Sequence, residues 1–302
     1  MTDLTWDAIA SHADRRYAAA GGALGWPGDL CAALTRAAEA WELRPLELFD
    51  SGVGHPVVRV ATAGGEAVLK LAPRTELAAQ ARVMQADGGR AYARLLAWDA
   101  GVPALLLERL GAPLHEVVPD ELEQVRVQAR LLKRAWEIPL AVGERAGSKA
   151  AGLVAILDRH GRLAIEAGVV AAARALAAAL ASGEGAEVVC HGDAHSGNVL
   201  ARADETFALV DPDGFVGERA YDLGVTMRGF LPAVAERGPG WVRECAAVLA
   251  EETGLDADRI WAWAFVERVT TGLFLRLLGF DDEGVAYLRS AEPLVGDARL
   301  LQ

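Results

Sequence analysis

Cysteine is scarce in this sequence, which has only Cys31, Cys190 and Cys245 among its 302 residues. Three widely spaced cysteines leave one unpaired, so a disulfide framework is excluded and a reducing compartment such as the cytoplasm is expected. Long apolar runs are also missing. The longest, 167–181, is interrupted by Arg174 and is shorter than the roughly 20 residues that a membrane helix needs. It is better interpreted as a buried helix.

Positive charge is in deficit as well. Lys and Arg number 30 against 42 Asp and Glu, which gives a net charge of -12. This balance excludes the basic stripes of proteins that bind nucleic acid or anionic membranes. It is compatible with a cationic substrate, although an acidic surface is equally explained by solubility alone. Nothing in the composition indicates a protein partner.

Two further signals are absent. The first residues, 1–7, carry acids and no apolar core, so no secretory signal peptide is expected. The nearest approach to a Walker phosphate loop, 143–149, lacks the Gly-Lys-Ser/Thr ending and has no preceding strand. With 52% hydrophobic and 24% charged residues, the chain is globular and long enough for two domains.

The most informative stretch is His-Gly-Asp-Ala-His-Ser-Gly-Asn at 191–198, followed by Leu-Val-Asp-Pro-Asp at 209–213. Gly192 and Gly197 loosen the backbone, so Asp193 is expected on a loop. The stretch places an acidic base and two candidate metal ligands within about twenty residues, which is what phosphoryl transfer requires.

The residues between these two segments predict a β-hairpin that turns at Asp204-Glu205. With that turn, Val199 pairs with Val210, and Asn198 lies opposite Asp211, because paired residues are symmetric about the turn. An amide oxygen and a carboxylate placed together suit a hard cation such as Mg²⁺.

The spacing His-x-Asp-x-x-x-x-Asn before a strand that ends in Asp matches the catalytic loop of protein kinases and their metal-binding Asp. Gly192 replaces the Arg of that loop, and Asp211-Pro212-Asp213 replaces Asp-Phe-Gly. The full pattern, His-Gly-Asp-x-His-x-Gly-Asn-Val-Leu and then Asp-Pro-Asp-Gly-Phe-Val-Gly-Glu-x-Ala-Tyr-Asp-Leu, closely resembles the aminoglycoside/hydroxyurea phosphotransferase family, and within it the streptomycin 6-phosphotransferases.

The resemblance implies an α+β, bilobal protein-kinase-like fold, with a small antiparallel sheet in the N-lobe and a mainly helical C-lobe. Periodicity predicts two N-terminal helices, 3–20 and 28–43, and later strands and helices that agree with this plan. The expected division is a helical addition at 1–45, an N-lobe at 46–110 and a C-lobe at 111–302. The predicted N-lobe strands are 45–50, 57–61, 67–71, 91–98 and 104–110, with a helix at 75–86, and one of the predicted C-lobe helices is 162–182.

Lys70 lies in an otherwise apolar strand, where an unpaired ammonium is costly to bury. It is predicted to bind nucleotide phosphates, and Glu76 is predicted to pair with it. The alternatives are an edge-strand lysine that faces solvent and a Glu76 that stabilises the helix start. Backbone groups of the turn after the first strand would approach the phosphates, and by resemblance those of the hinge would bind the purine base. Ser51 and Gly52 lie in that turn, and Glu108 and Leu110 lie in the hinge.

In the C-lobe the resemblance implies one role for each motif residue. Asp193 would orient the acceptor hydroxyl and take its proton, and Asn198 with Asp211 would bind Mg²⁺. The loop would be braced by His191 and Asp222, and His195 would face the substrate.

The expected function is ATP-dependent phosphorylation of a hydroxyl on an aminoglycoside such as streptomycin, with GTP not excluded as donor. Phosphorylation of hydroxyurea or another small hydroxylated metabolite is the first alternative. A kinase-like protein that binds nucleotide without transferring phosphate is the second. A zinc protein built on Cys190, His191 and His195 is the third, although no Cys-x-x-Cys and no fourth ligand accompany them.

Overall fold

The computed structural model describes residues 4–19, 30–49, 56–72, 74–145, 147–182 and 185–301. It divides the chain into two compact units, Met1–Gly111 and Ala112–Gln302. The first unit contains a sheet and three helices, and the second is mainly helical. The α+β class expected from the motifs, with a small antiparallel sheet in the first unit and a mainly helical second unit, is therefore confirmed, while the three-part division of the chain stays a prediction.

The first unit is built on a five-stranded antiparallel sheet with the order β1-β2-β3-β5-β4. Its strands are β1 (Arg44–Phe49), β2 (Val57–Thr62), β3 (Gly65–Leu71), β4 (Leu95–Trp98) and β5 (Ala104–Glu108), and its helices are α1 (Trp6–Ala19), α2 (Leu30–Ala40) and α3 (Arg74–Asp87). Because β3 is the central strand and pairs with β2 and β5, its backbone is hydrogen-bonded on both sides, and its last three residues, Leu69, Lys70 and Leu71, are buried.

The two N-terminal helices pack on this sheet. Leu34 and Ile9 are fully buried in one cluster with Val58, Val60 and Leu69 of the central strands. Apolar residues recur at helical spacing in α2 (Leu30, Ala33, Leu34 and Ala37), so one face of the helix is available for this contact. The helices thus belong to the core of the first unit.

The strand predicted over 91–98 begins only at Leu95. The buried carboxylate of Asp87 accepts hydrogen bonds from the backbone N–H groups of Ala91 and Tyr92, at 3.0 and 2.9 Å. These bonds keep 91–92 in the turn that follows α3, so this part of the predicted strand is wrong. The strand after it ends at Glu108, two residues earlier than predicted.

The second unit contains ten α-helices and four short strands within the described ranges. The helices are α4 (Leu114–Val117), α5 (Glu121–Ala135), α6 (Lys149–His160), α7 (Ala167–Ser182), α8 (Arg219–Met227), α9 (Leu231–Arg237), α10 (Pro239–Thr253), α11 (Ala257–Leu277), α12 (Asp281–Ala291) and α13 (Val295–Leu300); the strands are β6 (Glu187–Val189), β7 (Val199–Ala201), β8 (Phe207–Leu209) and β9 (Val216–Glu218). Strand β6 pairs with β9, and β7 pairs with β8.

The helix predicted over 162–182 is shorter, because a 3₁₀ turn at Gly161–Leu163 precedes α7. In this turn Ala164 N–H donates to Gly161 O at 3.0 Å. Gly161 allows the turn to lie against α7, since a Cβ there would meet Val170 Cγ1 at 2.8 Å.

No helix in the described ranges is long and apolar enough to span a lipid bilayer.

The β7–β8 hairpin forms, but its predicted register is wrong by one residue. Val199 pairs with Leu209, and Val210 N–H donates to Asn198 O at 3.0 Å. Asn198 therefore lies opposite Val210, and Asp211 follows one residue later. The cause is Glu205, which adopts a left-handed conformation with φ 64° and adds one residue to the turn.

Replacing Leu34 by Ala tests the contribution of the N-terminal helices. Because Leu34 is fully buried, the loss of its side chain should lower the free energy of unfolding by about 2–5 kcal/mol. Leu96→Ala is the control, since Leu96 is 50% exposed and should cost about 0.5 kcal/mol or less. Urea unfolding followed by circular dichroism measures both, and equal losses would contradict the packing of α2 on the sheet.

Candidate active site

Lys70 is buried in the central strand of the first unit, with 7% of its surface exposed. Its ammonium donates a hydrogen bond to Gln80 Oε1, at 3.1 Å, from helix α3. The alternative of a solvent-facing edge lysine is therefore wrong. Helix α3 therefore orients the ammonium of this buried lysine, and its role in phosphate binding stays a prediction.

The other residues predicted to bind nucleotide are described in part. Ser51 and Gly52 lie outside the described residues, as does the side chain of Glu76. Gln80 is one helical turn after Glu76 in α3. Glu108 closes β5, where its carboxylate accepts from Arg94 N and Nε at 2.9 and 2.8 Å. Leu110 follows it, at the end of the first unit.

In the second unit, a fully buried carboxylate supports the loop that follows β6. Asp222 in the first turn of α8 accepts from the backbone N–H groups of His191 and Gly192, at 3.0 and 2.9 Å. The indole Nε1–H of Trp136 donates to the same carboxylate at 2.9 Å. Burial raises the pKa of Asp222, and these donors oppose that rise.

His191 is also fully buried and joins two parts of the loop. Its Nδ1 accepts from Asp193 N–H at 3.1 Å, and its Nε2 lies 2.8 Å from Val210 O. A nitrogen that accepts an N–H bond and another that faces a carbonyl specify the neutral imidazole with its proton on Nε2. In this state His191 shapes the backbone at Asp193.

Gly192 has a left-handed backbone with φ 89°. A Cβ at this position would lie 2.3 Å from Oδ2 and 2.7 Å from Cβ of Asp213. Its carbonyl accepts from the Tyr221 hydroxyl at 3.2 Å. The loop therefore approaches Asp213 so closely that only glycine fits without a shift of the chain.

Asp193 is held at both carboxylate oxygens. Asn198 Nδ2 donates to its Oδ2 at 3.1 Å and to its backbone carbonyl at 2.9 Å. His195 Nε2 lies 3.6 Å from Oδ2, and the Arg228 guanidinium donates to Oδ1. Burial alone would raise the pKa of Asp193, but the His195 contact and the Arg228 charge hold it well below its usual value. The carboxylate is therefore ionised.

The side chains predicted to bind a metal fit Mg²⁺ in their chemistry. The Asn198 amide points its nitrogen at Asp193, which leaves Oδ1 as its atom for a cation. Asp211 has a left-handed φ of 61°, an unusual conformation for a residue other than glycine. No group of three or more His, Cys, Asp or Glu residues is arranged for a metal in the described part of the chain. Two oxygen ligands suit Mg²⁺, which keeps waters and binds substrate phosphates.

The alternative zinc site at Cys190, His191 and His195 is not formed. Cys190 is fully buried, and its thiol donates to Glu218 O at 3.5 Å. Burial raises the pKa of this thiol well above its ordinary value, and within the described ranges Cys190 belongs to no group of three or more His, Cys, Asp or Glu residues that could hold a metal. His195 uses Nδ1 to accept from Gly197 N–H at 3.1 Å.

Four residues at this site were not predicted from the sequence. Gln128 Nε2 donates to Ala194 O at 2.6 Å from α5, and Trp136 follows the same helix. Arg228 contacts Asp193, and Glu267 in α11 contacts Arg228, with 3.3 Å between Oε2 and Nη1. Their contacts join residues that are between 35 and 86 positions apart in the sequence, so no local pattern identifies them. The buried polar residues of otherwise apolar helices were the only available signal.

The sequence of this chain is similar to those of known phosphotransferases. A family model described as aminoglycoside/hydroxyurea antibiotic resistance kinase matches residues 40–277. A hydroxyurea phosphotransferase from Kitasatospora aureofaciens is 37% identical over 74% of this chain and 67% of its own length. A streptomycin 6-kinase from Streptomyces griseus is 30% identical over 85% of this chain and 87% of its own.

A solved structure extends the comparison to the fold. A thermostable mutant of an aminoglycoside phosphotransferase, in a ternary complex with ADP and hygromycin B, superposes with a TM-score of 0.60. The sequence identity is 14%, and the alignment covers 87% of this chain and 97% of the other. At this identity the likeness shows the fold alone.

Trp136→Phe tests the support of the loop by Asp222. The variant removes one donor from a buried carboxylate and should cost about 1–3 kcal/mol of unfolding free energy, with a loss of turnover. Trp241→Phe is a matched control: each ring has a guanidinium over it, at 5.7 and 5.5 Å, but Trp241 Nε1 has no hydrogen-bond partner in the described part of the chain. Urea unfolding measures both variants, and equal losses would show that the Trp136–Asp222 bond is unimportant.

Proposed function

The chain belongs to the aminoglycoside/hydroxyurea antibiotic resistance kinase family and is a small-molecule phosphotransferase, and we propose that it transfers the terminal phosphoryl group of ATP to a hydroxyl of an aminoglycoside such as streptomycin. One observation carries the chemistry. The Asp193 carboxylate is ionised and fixed on a braced loop by Asn198 and Arg228. A carboxylate of this kind is the base that phosphoryl transfer to an alcohol uses.

In the proposed mechanism Asp193 accepts a hydrogen bond from the acceptor hydroxyl and aligns its oxygen with the phosphorus. As the bond from the acceptor oxygen to the γ-phosphorus forms, the bond from that phosphorus to the bridging oxygen breaks and ADP leaves, while the hydroxyl proton passes to the carboxylate. A low pKa for Asp193 suits this role, because phosphoryl transfer proceeds through a loose transition state in which the attacking oxygen loses its proton late. The carboxylate then acts mainly by orientation.

Lys70 would bind oxygens of the nucleotide phosphates, with Gln80 as the neighbour that orients its ammonium. Glu76 would add the carboxylate partner of kinase-like sites, and Ser51 and Gly52 would contribute backbone N–H groups. The carbonyl or N–H groups of Glu108 and Leu110 would bind the purine. The donor is ATP in this proposal, and GTP remains a candidate, because backbone groups recognise the base.

Asn198 Oδ1 and the Asp211 carboxylate would hold Mg²⁺. When bound, this ion neutralises charge on the transferring phosphates. The chain's own part is to orient these two oxygens, which Asn198 achieves through its bonds to Asp193. No disulfide joins the three cysteines in the described part of the chain, which suits a reaction in the cytoplasm, where ATP is available.

The acceptor class is supported by two observations. The streptomycin 6-kinase relative matches over most of both chains, and the net charge of -12 favours a cationic antibiotic. Phosphorylation of hydroxyurea is the second candidate, because the hydroxyurea phosphotransferase relative has the higher identity. Hydroxyurea is neutral, so the two acceptors respond differently to ionic strength.

An ADP-release assay with ATP and Mg²⁺ across streptomycin, other aminoglycosides and hydroxyurea tests the proposal. We expect stimulation by streptomycin, loss of turnover on chelation of Mg²⁺, and a fall in kcat of about 10²–10⁴-fold in Asp193→Asn. Asp158→Asn is the control, because Asp158 forms an exposed pair with Arg174. Stimulation by hydroxyurea alone would select the second candidate. Nucleotide binding without turnover of any acceptor would support a non-catalytic nucleotide-binding protein.

The nucleotide role of Lys70 has a separate test. In Lys70→Met the ammonium is lost while the buried stem keeps its length, so KM for ATP should rise or kcat should fall by roughly tenfold or more. Lys133→Met is the control, because Lys133 donates to the Glu252 carbonyl at 2.8 Å on the surface of the second unit. Steady-state kinetics with varied ATP measure both. Unchanged kinetics in Lys70→Met would remove this residue from the nucleotide site.

A further inference from the structure

Arg228 lies at the end of helix α8 and contacts two carboxylates. Its backbone N–H donates to Val225 O at 3.2 Å, so its Cα is part of a buried helix end. One guanidinium nitrogen, Nη2, donates to Asp193 Oδ1, and Nη1 lies 3.3 Å from Glu267 Oε2. The planar fork of arginine allows it to span two acceptors in this way.

Glu267 is buried to a degree that needs an explanation, since 6% of its side chain is exposed. It lies in the middle of α11, among apolar residues such as Val266 and Val269. A buried carboxylate is costly unless a cation compensates it, and Arg228, with 16% exposure, forms that ion pair. Because α11 packs on α8, the pair joins two helices directly beneath the catalytic loop.

Asp193 is thereby held from two directions. Asn198, from the same loop, donates to Oδ2. Arg228, from the far end of α8, donates to Oδ1. Rotation of the carboxylate about its Cβ–Cγ bond would break one bond or the other.

We propose that Arg228 is a positioning residue for phosphoryl transfer, which holds the Asp193 carboxylate in its reactive orientation and is itself held by Glu267. The proposal rests on the proposed role of Asp193 as the base. A fixed orientation matters because a carboxylate must lie within about 0.5 Å and 10–20° of its productive geometry to align an attacking hydroxyl. Glu267 acts only through Arg228.

Three variants test this assignment. Arg228→Gln should lower kcat roughly tenfold or more, while KM for ATP stays unchanged because the nucleotide site is not altered. Arg228→Lys should be intermediate, since a single ammonium does not span both carboxylates. Glu267→Gln should cost less than Arg228→Gln, because the amide oxygen still accepts from the guanidinium.

The double variant Arg228→Gln/Glu267→Gln separates positioning from simple destabilisation. If Glu267 acts through Arg228, the double variant has a kcat no lower than that of Arg228→Gln. Arg259→Gln is the matched control. It breaks another arginine–glutamate pair that α11 makes, with Glu218 at 2.5 and 2.6 Å, and should shift the thermal midpoint without changing kcat. A wild-type kcat in Arg228→Gln, or an equal loss in Arg259→Gln, would overturn the proposal.

A second measurement keeps this test separate from the proposed function. If the wild-type protein turns over none of the acceptors, the proposed function fails, but urea unfolding still reports the contact. In a cycle of Arg228→Gln, Asp193→Asn and their combination, the shifts of the urea midpoint should be non-additive, because each single variant breaks the same ion pair. Additive shifts would show that Arg228 does not hold Asp193 and would overturn the positioning role by themselves.

Discussion

The buried carboxylate of Asp222 is the interaction on which the candidate active site depends. It binds two successive backbone N–H groups of the catalytic loop and the Trp136 indole, so α5, α8 and the loop share one polar contact in an apolar interior. The three donors are satisfied only while this carboxyl group is in place. The orientation of His191, and through it that of Asp193, follows from this arrangement.

Much of the fold could be predicted from the sequence, because it is encoded in short-range patterns. The strands around Lys70 alternate or run apolar, and the helices of the second unit show apolar residues at helical spacing. The errors occur where a single residue decides the geometry. Glu205 adopts a left-handed turn conformation, which propensity does not favour for glutamate, and the hairpin register shifts by one residue. Asp87 similarly holds back the start of β4.

The residues of the candidate site likewise fall into two groups, those that a local motif identifies and those that only the packing of the chain brings together. His191, Asp193, Asn198 and Asp222 lie in one hydrogen-bonded cluster, and the motif singles them out because they are close in sequence or belong to a recurrent pattern; their roles stay predictions. Arg228 and Glu267 could not be found in this way. A buried Glu in a helix indicates that some cation must be nearby, but the sequence does not say which of its 30 lysines and arginines it is, since the partners meet only through the packing of α8 on α11.

The closeness of Gly192 to Asp213 restricts which residues the loop can carry at position 192. Protein kinases carry an arginine at the position of Gly192, and here even a methyl group would collide with the Asp213 carboxylate. The two positions are therefore sterically coupled, because a side chain at 192 requires the Asp213 side chain or the loop backbone to move.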